Sequence, residues 1–205
     1  MAALDTLFVT RILRAELGGR SRRLVDDLRM TCLAIAEEDR AGQAWCREHG
    51  YRGYTSYASL DDLTRRASVF ADLVRLIDPR VARYARSVDL DLGRRRLALD
   101  SLWINVLEPG GHHAAHIHPH SVVSGTFYVE VPKGASAIRF EDPRHGLMMA
   151  APPRKPNARI ANRRFVSVEP KSGTVLLWES WLRHDVPVNN ARRPRVSLSF
   201  NYAWA

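Results

Sequence analysis

Five of the eight histidines, His112, His113, His116, His118 and His120, fall within nine positions of the stretch HHAAHIHPH. In extended backbone, residues two apart project to the same side, so His116 and His118 can turn their imidazoles toward one point. A bare H-x-H also arises between unrelated surface histidines, and His184 is what separates the two readings. It follows the apolar run GTVLLWESWLR, where a strand is expected to meet a turn. Neutral imidazoles arriving from two separate segments are the donor set of a metal centre built on strands. His112 and His113 share this spacing less well, and His120, after Pro119, is expected to point elsewhere.

Arg195 adds a second kind of chemistry. It opens RVSLSFNYAW, where alternation puts it on the polar side with Ser197 and Ser199. A guanidinium on the inner face of a strand needs an anion, because an unpaired buried charge is costly. A bidentate carboxylate there would contribute on the order of 1.5–3 kcal/mol. Arg192 and Arg193 lie in the preceding turn and are expected to be solvated.

These residues require strands to hold them, and the chain changes texture near residue 96. Residues 1–96 are expected to supply a first strand in DTLFVTRIL, with Leu7, Val9 and Ile12, and then helices. Leu24, Leu28, Cys32 and Ile35 recur at helical spacing between Ser21, a candidate N-cap, and Asp39. A second helical region over 61–88 buries Leu63, Phe70, Leu73, Ile77, Val81 and Tyr84, with Pro79 expected to divide it in two. Residues 97–205 read as short strands: LDSLWINVLE, with Leu102, Ile104 and Val106 opposite Ser101, Trp103 and Asn105, then SGTFYVEV, AIRFED, FVSVEP, GTVLLWE and RVSLSFNYAW. Helices followed by about seven strands predict a mainly β domain, an antiparallel jelly roll braced by N-terminal helices, with a ligand in its mouth. The Pro- and Arg-rich segment from Asp142 to Asn162 is expected to be irregular and to lie near that mouth.

Composition excludes several classes. With 205 residues, 45% hydrophobic and 26% charged, the chain suits one globular domain and lacks an apolar run of spanning length. Asp5 interrupts any charged-then-apolar leader, which predicts a cytoplasmic protein. Cys32 and Cys46 form no metal-spaced pair. The net charge of +9 comes from dispersed arginines, with Lys133, Lys155 and Lys171 as the lysines. Dispersal argues against nucleic acid as partner, and an acidic small molecule needs only one or two of these arginines.

The phrases GYTSYASLDDL at 53–63, W-x-N at 103–105, HIHPHSVVSGTFYV, and HDVPVNN followed by RVSLSFNY run in the same order over residues 50–202 as in a family of 2-oxoglutarate/Fe(II) oxygenases known mainly from bacterial and phage genomes, which the chain resembles. The resemblance implies a double-stranded β-helix, Fe(II) held by His116, His118 and His184, and 2-oxoglutarate anchored by Arg195. It further implies an unidentified small-molecule or peptide substrate, hydroxylated with release of succinate and CO2. By similarity to prolyl-hydroxylase-like members, Ser124 and Tyr128 are expected beside the cosubstrate. Asn105 is expected to hydrogen-bond the cosubstrate or a ligand histidine. GYTSY, with Tyr54 and Tyr57, has two candidate roles, covering the pocket or docking the helices on the barrel, of which docking is expected, and a homodimer follows family habit. One departure matters: the usual triad is two histidines and a carboxylate, whereas His118 stands at the carboxylate position. Either three histidines hold the metal, which is the expected set, or two side chains do and a water or another group fills the site, and Asp185 diverges from its neighbour His184. Three other readings stand beside this one: a cupin-like three-histidine metalloenzyme without an oxo-acid cosubstrate, in which Arg195 has no role; a non-catalytic binding module on the same barrel; and, on the basic charge, an oxygenase acting on nucleic acid or on an acidic protein.

Overall fold

Alternation in four strands decides the architecture. In β10 (Arg195–Trp204), Val196, Leu198, Phe200 and Tyr202 join one apolar cluster. Leu102, Ile104 and Val106 of β3 (Leu97–Leu107), Val123, Phe127 and Val129 of β5 (Val123–Glu130), and Val175 and Leu177 of β8 (Thr174–Glu179) join the same cluster. Each strand therefore sends one set of side chains outward and the intervening set inward. Gly125 sits where β5 meets Phe200: a Cβ there would lie 2.5 Å from the ring.

The computed structural model describes residues 2–17, 22–144 and 150–205. With β1 (Leu13–Glu16) and β2 (Gly53–Thr55) at its edges, the major sheet has the order β1-β8-β5-β10-β3-β2. The minor sheet, β4-β9-β6-β7, is built from β4 (His113–His116), β6 (Ile138–Glu141), β7 (Phe165–Val168) and β9 (His184–Val186). The pairings within both sheets are antiparallel. Two such facing sheets make a jelly roll, and the chain has this fold.

Helices cover the outer face of the major sheet. α1 (Arg22–Glu38) contributes Leu28 and Cys32 to the outer cluster, and α4 (Ser68–Ser87) contributes Phe70, Leu73, Ile77, Val81 and Tyr84. A second cluster, with Tyr128, Ile138, Phe140, Leu176, Trp178 and Val186, lies between the sheets.

The N-terminal elements differ from the sequence reading in three places. DTLFVTRIL is not a strand: pairing begins at Leu13, opposite Leu177, and Leu7, Phe8 and Val9 stand exposed. Strand propensity at residues 5–12 finds no partner there, and without a ladder it produces no strand. Pro79 does not divide the second helical region. The break falls at Ala67, whose backbone is extended, between α3 (Leu63–Arg66) and α4, and Pro79 lies inside α4. Ile77 and Val81, on either side of the proline, are both fully buried, so packing holds the helix across the missing hydrogen bond. A short helix, α2 (Arg40–Glu48), occupies residues for which no element was expected, capped by the Asp39 carboxylate accepting from the Gly42 amide. Ser21, the expected N-cap of α1, lies outside the described residues, as do residues 145–149 of the Pro- and Arg-rich segment. The described remainder of that segment is irregular apart from a 3₁₀ turn at Ile160–Asn162.

Candidate metal centre

His116 ends β4 and His184 begins β9, and the two are directly paired across the minor sheet. His118 follows two residues after His116, where its backbone amide donates to the Ser180 carbonyl at 3.0 Å. The three rings converge: their centroids lie 4.4 Å (His116–His184) and 5.1 Å (the other two pairs) apart. One nitrogen from each falls within 4.8 Å of the others.

The remaining ring nitrogens explain which way the donors face. Nδ1 of His116 lies 2.7 Å from the Ala114 carbonyl, Nδ1 of His184 lies 2.8 Å from the Leu182 carbonyl, and Nδ1 of His118 lies 2.6 Å from Asn201 Oδ1. All three partners are acceptors only, so each Nδ1 carries the proton and donates, which leaves each Nε2 lone pair free. This is the outer-shell pattern that sets the tautomer of a metal-binding histidine. Burial holds the His184 pKa down at about 3, and burial also lowers that of His118. Neutral imidazole is the form a metal ligand requires.

Asn201 was missed as a contributor, although it continues the alternation Arg195, Ser197, Ser199 along β10. Its Oδ1 also accepts from the Ser124 hydroxyl at 2.8 Å, and its Nδ2 donates to the Ser101 hydroxyl at 3.0 Å. Ser124 is thereby corrected. Its buried hydroxyl is committed to Asn201 and to Ser180, at 2.8 Å, and it is not part of either cavity wall, so it backs Asn201 and His118 instead of facing a cosubstrate. Asp185 diverges from its neighbour: Arg139 holds both its carboxylate oxygens, at 3.0 and 2.6 Å. His112 and His120 are exposed, His120 with a left-handed φ of 67°, and neither joins the cluster.

Two cavities meet at the histidines. The inner one, of about 70 Å3, is walled by Arg195, Tyr128, Asn105, Thr126, Trp178 and His184 among others. Arg195 is 3% exposed; its Nη1 donates to the Ser136 carbonyl at 3.0 Å, and its guanidinium lies 5.7 Å from the Tyr128 ring. Burial lowers the Arg195 pKa and raises that of Tyr128 to about 12. Arg195 Nε and Trp178 Nε1 are buried and have no hydrogen-bond partner among the described residues. No Asp or Glu lines this cavity among those residues. An uncompensated cation and orphaned donors, all in the wall of one cavity, call for an anion rich in acceptor oxygens. Asn105 lines the cavity, but its side chain accepts from the Thr55 hydroxyl at 3.0 Å and donates to the Ser199 hydroxyl at 3.1 Å, with no bond to a ligand histidine.

The outer cavity, of about 300 Å3, shares Trp103, Asn105, His113, His116 and His118 with the inner one and adds Trp45, Tyr51 and Tyr57. GYTSY therefore divides its work: Tyr54 is buried and its hydroxyl donates to Asp39 at 2.8 Å, whereas Tyr57 is 63% exposed and walls the cavity. His113 Nε2 and the Tyr51 hydroxyl are hydrogen-bonded at 2.9 Å, and burial, followed by nearby Arg195, pulls the His113 pKa to about 3.

A jelly roll carrying a histidine cluster and a buried guanidinium between its sheets is a scaffold for metal-dependent chemistry on an anionic cosubstrate. Residues 101–201 match the family described as Putative 2OG-Fe(II) oxygenase, and the chain belongs to the 2OG-Fe(II) oxygenases. No curated protein matches it by sequence. Among solved structures it is similar to a Pseudomonas putida prolyl-4-hydroxylase, with 15% identity, a TM-score of 0.60, and 95% of this chain and 88% of that one covered. It is similar to the alpha-ketoglutarate-dependent epimerase SnoN from nogalamycin biosynthesis, with 15% identity, a TM-score of 0.63, and 95% and 78% covered. It is also similar to HygX from Streptomyces hygroscopicus, solved with nickel and 2-oxoglutarate, with 16% identity, a TM-score of 0.58, and 95% and 82% covered. At these identities the likeness is one of fold. No helix among the described residues is long and apolar enough to cross a membrane.

Proposed function

We propose that the protein is a 2-oxoglutarate- and Fe(II)-dependent dioxygenase that hydroxylates a small-molecule or peptide substrate. One observation carries this reading. Three imidazoles with every Nδ1 tied off open onto the cavity in which the buried Arg195 has no counter-ion among the described residues. His116, His118 and His184 would hold the iron, and with no carboxylate lining the cavity among the described residues the loaded site is positive. A dianionic oxo acid matches that charge, whereas a neutral cosubstrate would leave Arg195 unpaired. When bound, iron and 2-oxoglutarate supply the oxidant: dioxygen decarboxylates the oxo acid to succinate and CO2 and delivers one oxygen atom to a C–H bond of the substrate.

This chain's residues contribute orientation and a dry site. Asn201, the Ala114 carbonyl and the Leu182 carbonyl fix the imidazole planes. Arg195 receives the distal carboxylate, Tyr128 flanks it, and Trp178 and Ile138 exclude water around it. Asn105, at the join of the two cavities, separates cosubstrate from substrate. Both cysteines are free and buried, which supports placement in a reducing cytoplasm. Among the described residues the cavity walls carry no arginine row of the kind a nucleic acid requires, and the protein acts as a homodimer in this reading.

The test has two arms. Protein reconstituted anaerobically with Fe(II) and 2-oxoglutarate should develop the visible charge-transfer absorption of an iron–oxo-acid chelate, and aerobic turnover should convert 2-oxoglutarate to succinate. His184→Ala should abolish both, and Arg195→Gln should weaken the chelate. Full turnover by both variants would refute the assignment. Metal binding with no response to 2-oxoglutarate would favour the three-histidine enzyme without an oxo-acid cosubstrate.

A further inference from the structure

The outer cavity has walls of an unusual composition. Trp45 comes from α2, Tyr51 and Tyr57 from either side of β2, Trp103 from β3, and Ile117 and Pro119 from the segment bearing the histidines. Tyr57 and Trp103 meet edge to face at 5.2 Å, and Trp103 lies 5.8 Å from His118, so a row of rings leads from the exposed Tyr57 to the metal centre. Trp45 stacks on His49 at 4.2 Å with planes 14° apart, which fixes the facing wall.

Apart from the metal-facing imidazole nitrogens and the hydroxyl and indole N–H groups at the edges of its aromatic rings, the side-chain polar groups of this cavity are engaged with one another. Thr55 Oγ1 donates to Asn105 and accepts from the Tyr57 amide, and Asn201 Oδ1 takes both His118 and Ser124. No Asp, Glu, Lys or Arg lines the cavity among the described residues. Its contents are therefore held by apolar and π contact, with few free donors or acceptors to recognise them.

Charge narrows the occupant further. Cations are attracted to aromatic faces, but here they would sit beside a centre that stays positive even when loaded, since one dianion leaves Arg195 and a divalent metal with a net positive charge, in a chain of net charge +9 and with no carboxylate in the wall among the described residues. Anions have their place at Arg195 in the inner cavity. A volume of about 300 Å3 is at the small end of ligand pockets, suited to a few fused rings rather than a polymer segment.

We propose that the outer cavity takes an uncharged, ring-bearing small molecule, seated between Trp45, Tyr51, Tyr57 and Trp103, with one of its C–H bonds turned to the three histidines. The second half of this statement rests on the oxygenase reading; the binding itself does not. Isothermal titration calorimetry with the full chain tests it, both iron-free and loaded with zinc(II) and 2-oxoglutarate to fill the inner cavity. The probes are 2-naphthol, its charged analogues 2-naphthoate and 2-naphthylmethylammonium, and the capped peptide acetyl-Gly-Pro-Gly-amide. In the loaded protein 2-naphthol should bind at least tenfold more tightly than either charged analogue and than the peptide. Tyr57→Ala, at an exposed position, should weaken 2-naphthol at least fivefold in both forms, and Trp45→Ala should do the same. Charged analogues or peptide binding as well as 2-naphthol, or unchanged affinity in Tyr57→Ala, would overturn the proposal. Turnover of 2-oxoglutarate without 2-naphthol binding would overturn this inference alone. Binding of 2-naphthol by the iron-free protein, with no turnover of 2-oxoglutarate once Fe(II) is supplied, would uphold the cavity assignment and remove the oxygenase reading.

Discussion

Along β10, Val196, Leu198, Phe200 and Tyr202 project into the helices, whereas Arg195, Ser197, Ser199 and Asn201 project toward the histidines. The outer face is packed by α1 and α4 into an apolar cluster whose largest members, such as Phe127 and Phe200, are fully buried. The inner face carries a cation and buried donors that find no partner among the described residues, and a buried histidine held neutral. One face stabilises the fold, and the other is kept at a cost in stability because it has chemistry to perform. The same strand holds both because side chains alternate.

Loss of His184 gives the largest expected effect. His184→Ala should bring metal binding and turnover below detection while leaving the helices and sheets intact by circular dichroism; retained metal stoichiometry would break the division between faces. On the opposite side, Phe127→Ala should lower stability by about 3–5 kcal/mol, measured by urea unfolding, and leave kcat of the folded fraction unchanged. Arg195→Met sharpens the contrast through its sign. It should destroy 2-oxoglutarate affinity yet raise the melting temperature of the ligand-free protein, since replacing an uncompensated buried charge by an apolar chain of similar volume is stabilising by about 1 kcal/mol or more. A lowered melting temperature would show that the guanidinium is already satisfied. Asn201→Ala should weaken metal affinity by roughly 10–100-fold through loss of the His118 orientation, with a smaller effect on stability, as read by competition with a chelator.

The pH dependence is the smallest effect. His113 and His184 stay neutral in the fold down to about 3, because burial opposes their charging. In the unfolded chain they take up protons near 6.5. The unfolded state therefore binds more protons between these values, and the stability of the metal-free protein should fall as pH drops from 6.5 toward 3, with no contribution from this pair above 6.5. His113→Phe should reduce the slope of that loss by close to one proton, as measured from melting curves over the same range. An unchanged slope would mean that His113 charges in the native state.

Much of this contrast was legible in the residues themselves. The strands β3, β5 and β10 show their period over eight or more residues, so their faces could be assigned before any pairing was known, whereas β8 is a continuous apolar run whose faces only its pairing decides. The strands β2, β4 and β9, of three or four residues, are too short for a period and exist because a neighbour pairs with them. His113 illustrates the limit: it shares the histidine-rich stretch, yet its imidazole goes to Tyr51, 62 positions away. Trp45, on a helix that packing and an Asp39 cap create, carried no signal of its role.

By itself the amino-acid order determined which side chains could share a face, that imidazoles two apart and a distant third could meet, and that Arg195 would need an anion. Only the tertiary structure decided that Ser124 backs Asn201 instead of entering the cavity, that Asn201 sets the His118 tautomer, and that Tyr57 walls the pocket while Tyr54 docks the helices. The division has a physical basis. Facing follows from local backbone geometry, which a few residues specify, whereas a hydrogen-bond partner depends on distances between segments that meet only when both sheets close.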